Sequence, residues 1–429
     1  MTAWLEKDSH WVWHPFTSLV DTPSPLHVVK AHGPYLYTDS GRRILDGISS
    51  WWVNIHGHSH PELAQAIFEQ ACTLEHVIFA GFTHSPAIEL AEKLIALLPG
   101  QQQKVFFSDN GSTAVEVAIK MAIQYWYNRG TPRKKIIAIQ GAYHGDTFGA
   151  MSVGDRNAFT EAFSQHLFDV EFIDWPGHRD EHRATDQFEN LLKSDEVAAF
   201  IYEPLIQGAA GMRTYTSHTL NALLVSARKR NVICIADEVF TGFGRTGKMF
   251  ASEYLDVNPD IICLSKGLTG GVMPLGVTAC SQRIVEAYLS SEPKKTFFHG
   301  HSFTANPLGC AVALKSLELL TMPACQENIQ TISAKQQAFA ERVNGLPGIA
   351  RVNRLGTILS IEIETASGGG YFNNIRQKIY DHFLQRDILL RPLGNVLYFL
   401  PSYAFSSDQI NHVHQTIFEF LESLQSIRK

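Results

Sequence analysis

Short, almost uninterrupted apolar runs recur through the middle of the chain, separated by longer stretches with helical spacing. Lys104–Ser108, Lys135–Gln140, Val197–Pro204, Val232–Val239, Asp260–Lys266 and Gly276–Cys280 read as strands. Pro61–Leu74, Pro86–Leu98, Ser112–Asn128 and Ser217–Arg230 read as helices. A strand apolar on both sides must be covered on both sides, and helices between successive strands supply crossovers for parallel pairing. The chain is therefore expected to be α/β, with a mostly parallel central sheet and helices on both faces.

The flanks have a different texture. Residues 1–60 are rich in aromatics and read as irregular. After the core, helical patterns over Asn306–Leu320 and Gln326–Val343 lead to strands Ile358–Ile363 and Val396–Phe399 and helices Tyr371–Arg386 and Ser407–Leu424. Those pieces suggest a smaller α+β domain built from the two termini. The expected division is 1–60, 61–312 and 313–429, in keeping with the two or three domains that 429 residues suggest. Gly368-Gly369-Gly370 reads as a loop.

Bulk properties narrow the function classes. Hydrophobic residues at 45% against 18% charged allow a large core. A formal net charge of −6 without a basic block leaves no electrostatic footprint for nucleic acid. The N-terminus lacks a signal-peptide pattern, and no apolar run approaches the roughly 20 residues that span a bilayer. Six dispersed cysteines, three of them in strand-like runs, read as reduced thiols in a cytoplasmic enzyme.

Two of the apolar runs end in charge. Val232–Ala236 leads into Asp237-Glu238, and Asp260–Ser265 leads into Lys266, 29 residues later (266 − 237). If both are buried strands, a carboxylate and an amine arrive at one edge of the sheet. A desolvated lysine loses its proton more easily, which suits it to nucleophilic Schiff-base chemistry.

Other segments can be placed beside this pair. Ser108–Glu116 is a strand end, a small-residue turn and a helix start, where exposed amides suit a phosphate, although Ser112 or Thr113 as an ordinary cap is the commoner use. Tyr143, in Gly141–Thr147, puts an aromatic ring after a strand. Gly242-Phe243-Gly244-Arg245-Thr246-Gly247 spells G-x-G-x-x-G, but Asp237-Glu238 intervene and no helix opens at the third glycine, so the dinucleotide reading fails. Those glycines are expected to permit turns that present Arg245 or bring backbone near a ligand. Trp13–Thr17 and Ser49–His56 offer either an aromatic pocket wall or an interface plug. Arg391, alone in an apolar run, wants a carboxylate, from the protein or from a substrate. His56, His58 and His60, and likewise His299 and His301, lack a nearby ligand set, and no metal is expected.

A phosphate cradle, a stacking ring, a strand-end carboxylate and a lysine are together what pyridoxal 5′-phosphate (PLP) requires. The sequence also resembles the class III (ω-) aminotransferases, in Ile235–Gly247 and Leu264–Gly271. Trp13–Thr17, Ser49–Trp52, Tyr143–Ser152 and Arg391–Gly394 narrow the resemblance to the biotin-pathway branch. The resemblance, which runs nearly end to end, implies a fold-type I PLP-dependent transferase working by ping-pong as a homodimer with shared active sites. It implies catalytic roles for Lys266, Asp237 and Tyr143. Gly111 and Ser112 would hold the phosphate, Tyr143 would stack on the ring, Asp237 would pair with its nitrogen, and Lys266 would form the Schiff base. His301 and Ser302 would reach the phosphate in the neighbouring subunit. Phe16, Trp51, Trp52 and Gly300 would line the substrate pocket, and Arg391 would take a keto-acid carboxylate. The implied reaction turns 7-keto-8-aminopelargonate into 7,8-diaminopelargonate. Its implied amino donor is S-adenosylmethionine, with lysine as the alternative. Phe16 stands where adenosylmethionine users usually carry tyrosine, and His301 where several carry proline. Other ω-aminotransferase substrates (ornithine, 4-aminobutyrate, a diamine) form the remaining alternative.

Overall fold

In the computed structural model, which describes residues 3–20, 22–177, 181–365, 373 and 375–426, the apolar runs assemble into one seven-stranded sheet. We number its strands β1 (Gln102–Ser108), β2 (Lys135–Ile139), β3 (Glu171–Ile173), β4 (Val197–Tyr202), β5 (Ile233–Asp237), β6 (Ile261–Leu264) and β7 (Gly276–Ser281). Their spatial order is β1-β7-β6-β5-β4-β2-β3. β7 runs antiparallel to both of its neighbours, and the remaining pairs are parallel.

Every residue of β4, β5 and β6 is buried, which is why these runs show no polar alternation in the sequence. Side chains alternate between two cores. Ala199, Ile201, Ile233 and Ile235 pack with the helix Gly111–Asn128 on one face. Phe200, Tyr202, Cys234 and Ala236 pack with Leu220, Leu223 and Leu224 of the helix Ser217–Lys229 on the other.

The expected core strands and helices form with ends shifted by one or two residues. The short edge strand β3 was not expected. Residues 1–60 are less irregular than they read. They contain a helix, Ala3–Trp11, and three strands, Val28–His32, Tyr35–Thr38 and Arg43–Asp46, joined by Ile388–Leu389 from late in the chain. The first two of these strands are partly exposed, so their side chains carry no strong apolar signature. A three-stranded sheet of Ile349–Leu355, Ile358–Ile363 and Val396–Phe399 includes one strand, Ile349–Leu355, that was not foreseen. Gly368–Gly370 and the expected helix start at Tyr371 lie outside the described residues, and the helix is described over Ile375–Leu384. No single helix among the described residues is long and apolar enough to cross a membrane.

One close approach ties the sheet to the loop before its first helix. A Cβ added at Gly276, at the start of β7, would lie 2.2 Å from the carbonyl oxygen of Asn110. Gly276→Ala is therefore expected to lower stability by about 1–3 kcal/mol through overpacking. Chemical denaturation would measure it, and an unchanged midpoint would show that the loop moves freely.

Candidate active site

Asp237 is the last residue of β5, and Lys266 follows the end of the parallel strand β6 by two residues. Parallel register pairs Asp237 with Cys263, so both charged groups leave the same end of the sheet. Lys266 takes a left-handed backbone conformation (φ 43°), and the Ser265 hydroxyl beside it donates to the Leu275 carbonyl at 2.7 Å. The lysine Nζ lies 4.6 Å from the Trp52 ring centroid and 5.6 Å from that of Phe240. Burial among these rings lowers its pKa to about 8, against the pull of Asp237 and Glu203, which raise it.

Asp237 is itself fixed. One oxygen accepts the Val239 N–H at 3.0 Å and the other lies 2.6 Å from His144 Nδ1. Facing a carboxylate, that nitrogen must carry the proton. His144 Nε2 is buried with no protein partner. The sequence reading gave His144 no role, although it adjoins Tyr143. It likewise passed over Glu203, the residue directly after β4. Burial raises the Glu203 pKa to about 7, and its carboxyl group accepts the Tyr143 N–H at 3.1 Å and the Gly208 N–H at 2.8 Å.

These residues surround a cavity of about 390 Å³ that also meets Gly111, Ser112 and Tyr143. The capping residue of the 111–128 helix is Asn110, not Ser112 or Thr113: its side chain accepts the Thr113 N–H, and the Asn110 N–H donates in return to Thr113 Oγ1. Gly111 and Ser112 thus open an 18-residue helix against the cavity wall, where its dipole favours an anion. Side chains are excluded here. A Cβ on Gly111 would meet Val239 at 2.7 Å, and one on Gly145 would meet Ser112 Oγ at 2.0 Å. The Tyr143 hydroxyl donates to Asp146 at 3.0 Å. Amides for a phosphate, an aromatic ring, an oriented carboxylate and a desolvated amine around one cavity fit PLP.

A second cavity of about 680 Å³ shares Trp52, Tyr143 and Lys266 with the first and extends past Phe16, Trp51 and Arg391. Phe16 packs on Trp51 (ring centroids 5.7 Å apart) and edge-on to Phe159 (6.1 Å), a wall residue the sequence reading did not single out. The Arg391 guanidinium lies 4.7 Å from the Trp51 centroid. The tryptophans are presented by an unusual turn. Ser49, Ser50, Trp51 and Trp52 all have positive φ (50°, 42°, 70° and 75°). For a side-chain-bearing residue this conformation costs roughly 1–2 kcal/mol. The surroundings hold it: Ser50 Oγ donates to Asp46 at 2.8 Å, Ser49 Oγ donates to the Leu400 carbonyl at 2.8 Å, and Arg245 Nη2 donates to the Trp52 carbonyl at 3.0 Å.

Arg245 corrects one expectation. It is 1% exposed and clamps the Trp52 and Pro401 carbonyls, so the glycine-rich turn directs it into the protein interior. The three clustered histidines are spent on separate tasks: His56 bonds Ser316, His58 bonds Asp46, and His60 stands at the start of a helix. Among the described residues, no group of three or more His, Cys, Asp or Glu could hold a metal ion. Phe16, Trp51, Trp52, Tyr143, Asp237, Lys266, Gly111, Ser112 and Arg391 all line one or both of the two cavities. Gly300, His301 and Ser302 line neither cavity of their own chain, and His301 Nδ1 lies 2.6 Å from Asp109.

An α/β sheet delivering a buried lysine and a carboxylate to one cavity suits a PLP enzyme, and residues 18–421 match the family described as Aminotransferase class-III. The chain belongs to that family and is a PLP-dependent aminotransferase. It is 46% identical over 421 residues to the adenosylmethionine-8-amino-7-oxononanoate aminotransferase of Synechococcus elongatus, covering 96% of this chain and 99% of that one. It is 37% identical to the enzyme of the same name from Staphylococcus aureus, with 94% of each chain covered. A crystal structure under that name from Methanocaldococcus jannaschii superposes with a TM-score of 0.93 at 34% identity, covering 98% of both chains. A transaminase from a marine Virgibacillus superposes at 0.92 with 28% identity, covering 99% of this chain and all of that one.

The lowered lysine pKa sets a pH dependence. Below about pH 8 the Lys266 amine is protonated and cannot attack; above it the amine is free. The rate at which cofactor-free protein captures PLP is expected to rise with pH, reach half its maximum near 8 and level off about one unit above. A rise that continues to pH 10 in stopped-flow absorbance would mean that the amine is not desolvated.

Proposed function

We propose that the enzyme transfers an amino group from S-adenosylmethionine to 7-keto-8-aminopelargonate, also called 8-amino-7-oxononanoate, forming 7,8-diaminopelargonate for biotin synthesis. The observation that carries this reading is the lining of the outer cavity, which includes both the Lys266 amine and Arg391, the latter over the Trp51 ring. That arrangement suits a substrate whose reacting carbon and carboxylate are separated by an apolar chain. The names of the relatives support the same acceptor.

Gly111 and Ser112 would hold the cofactor phosphate and Tyr143 would stack on the ring. Asp237, oriented by His144, would keep the proton on the ring nitrogen, and Lys266 would anchor the cofactor. PLP, when bound, supplies the electron sink through which an amino group leaves the donor and is later given to the keto acid. Lys266 Nζ, released from its anchoring role, moves a proton at the reacting carbon; an amine with a pKa near 8 can both give and take one near neutral pH. Phe16, Trp51, Trp52 and Phe159 exclude water from the apolar part of the substrate.

The donor has a second reading. Phe16 offers Trp51 and Phe159 only an apolar edge where a hydroxyl could have made a polar contact, so that contact is not there to select S-adenosylmethionine and lysine is the alternative amine. Other ω-amines (ornithine, 4-aminobutyrate, a diamine) find no feature here that favours them over these two.

The enzyme would act as a homodimer with shared sites. Phe298 and Phe303 are 73% and 60% exposed on either side of Gly300, His301 and Ser302, an apolar surface that a second copy would cover. His301 and Ser302 would then face the partner's phosphate site, and Gly300 its substrate pocket. The cysteines are all free, which suits the reducing cytoplasm. Residues 61–312 would form the cofactor-binding unit, with 1–60 and 313–429 completing the smaller one.

A donor–acceptor panel tests the substrate. Diaminopelargonate is expected with S-adenosylmethionine or lysine; turnover of 4-aminobutyrate with no diaminopelargonate from any donor would refute the assignment. Arg391→Ala is expected to slow the keto-acid half-reaction about 10- to 100-fold, the worth of a charge-assisted contact. Donor-driven conversion of the cofactor should suffer much less. Equal losses in both halves would assign Arg391 a structural role.

A further inference from the structure

The left-handed turn puts both of its tryptophans into the lining of the outer cavity. Trp52 lies beside the Lys266 amine and Trp51 beside the Arg391 guanidinium. Four consecutive residues with side chains do not stay at positive φ unless their surroundings require it. Part of that requirement comes from a buried group outside the cavity. Asp46, 2% exposed, accepts the Ser50 hydroxyl at 2.8 Å and the Ile48 N–H at 3.2 Å, and faces His58 Nε2 at 2.8 Å. Neither Asp46 nor Ser50 lines either cavity.

We infer that Ser50 and Asp46 are positioning residues that set the distance between the amine and carboxylate ends of the substrate pocket by holding the tryptophan turn left-handed. The inference rests on the proposal that Arg391 receives the substrate carboxylate. Without the bond to Asp46, a residue with a Cβ at position 50 relaxes out of its φ of 42°, and both tryptophans move with it. Glycine has no steric reason to leave that conformation. The geometry of the turn, not the hydroxyl as such, is what the pocket needs.

Two substitutions at one position separate these contributions. In the holoenzyme, Ser50→Ala should raise KM for the keto acid about tenfold, with a smaller change in kcat, as expected for misplacement on the ångström scale. Ser50→Gly, which also lacks the hydroxyl, should stay near the wild-type KM. A readout independent of turnover is the near-ultraviolet circular dichroism of the tryptophans in cofactor-free protein. Ser50→Ala should change it and Ser50→Gly should not. Equal impairment of both variants, or of neither, would overturn the inference. Should Ser50→Ala fail to fold, Asp46→Asn replaces it. Its raised KM should then be restored by adding Ser50→Gly, and a double variant no better than Asp46→Asn would overturn the inference. If the wild type does not use the keto acid at all, the substrate assignment fails, while the dichroism comparison still decides the role of the turn.

Discussion

Taking an ammonium group out of water is costly unless neighbours compensate, and the site is organised around one such group, the amine of Lys266. Its proton is held loosely because Trp52 and Phe240 remove solvent while Asp237 and Glu203 return only part of the lost stabilisation. Two parallel strands, β5 and β6, make this possible by ending side by side. Their complete burial supplies the desolvation, and their common direction supplies the counter-charge. The carboxylate is kept in place by His144 and the Val239 amide.

The second constraint is geometric. A transaminase of this kind must admit two chemically different substrates to one site in turn, with a fixed relation between the reacting carbon and the rest of each molecule. Here a single turn carries the ring beside the amine and the ring beside Arg391, and it does so in a conformation that side chains resist. Arg245, buried and bonded to the carbonyls of Trp52 and Pro401, ties this turn to the C-terminal segment. On the proposed reading, specificity would thus depend on the packing of the fold as well as on the groups lining the cavity.

The strands that matter most were legible in the sequence because burial on both faces removes polar residues from them. The charged residue ending each then stands out: Asp237 and Lys266 could be placed at one sheet edge without coordinates. Tyr143, Trp51, Trp52 and Arg391 were legible as pieces, and the family resemblance supplied their relation. What stayed hidden depends on contacts distant in sequence. His144 meets Asp237 across 93 residues. Glu203 was read as part of a strand run, and only the fold places the amides of Tyr143 and Gly208 on its carboxyl group. Nothing in Ser49-Ser50-Trp51-Trp52 signals a left-handed turn, since glycine and asparagine are absent and the conformation is imposed by Asp46, Leu400 and Arg245. The interior position of Arg245 was not legible either, because a glycine-rich turn can aim a side chain inward as readily as outward.

On the proposed reading the buried amine of Lys266, and no other lysine, would carry the cofactor. Borohydride reduction of the purified holoprotein, followed by peptide mass mapping, tests it directly. The expected result is a pyridoxyl group on the peptide containing Lys266 and on no other. An unmodified Lys266, or a label on a different lysine, would contradict the account.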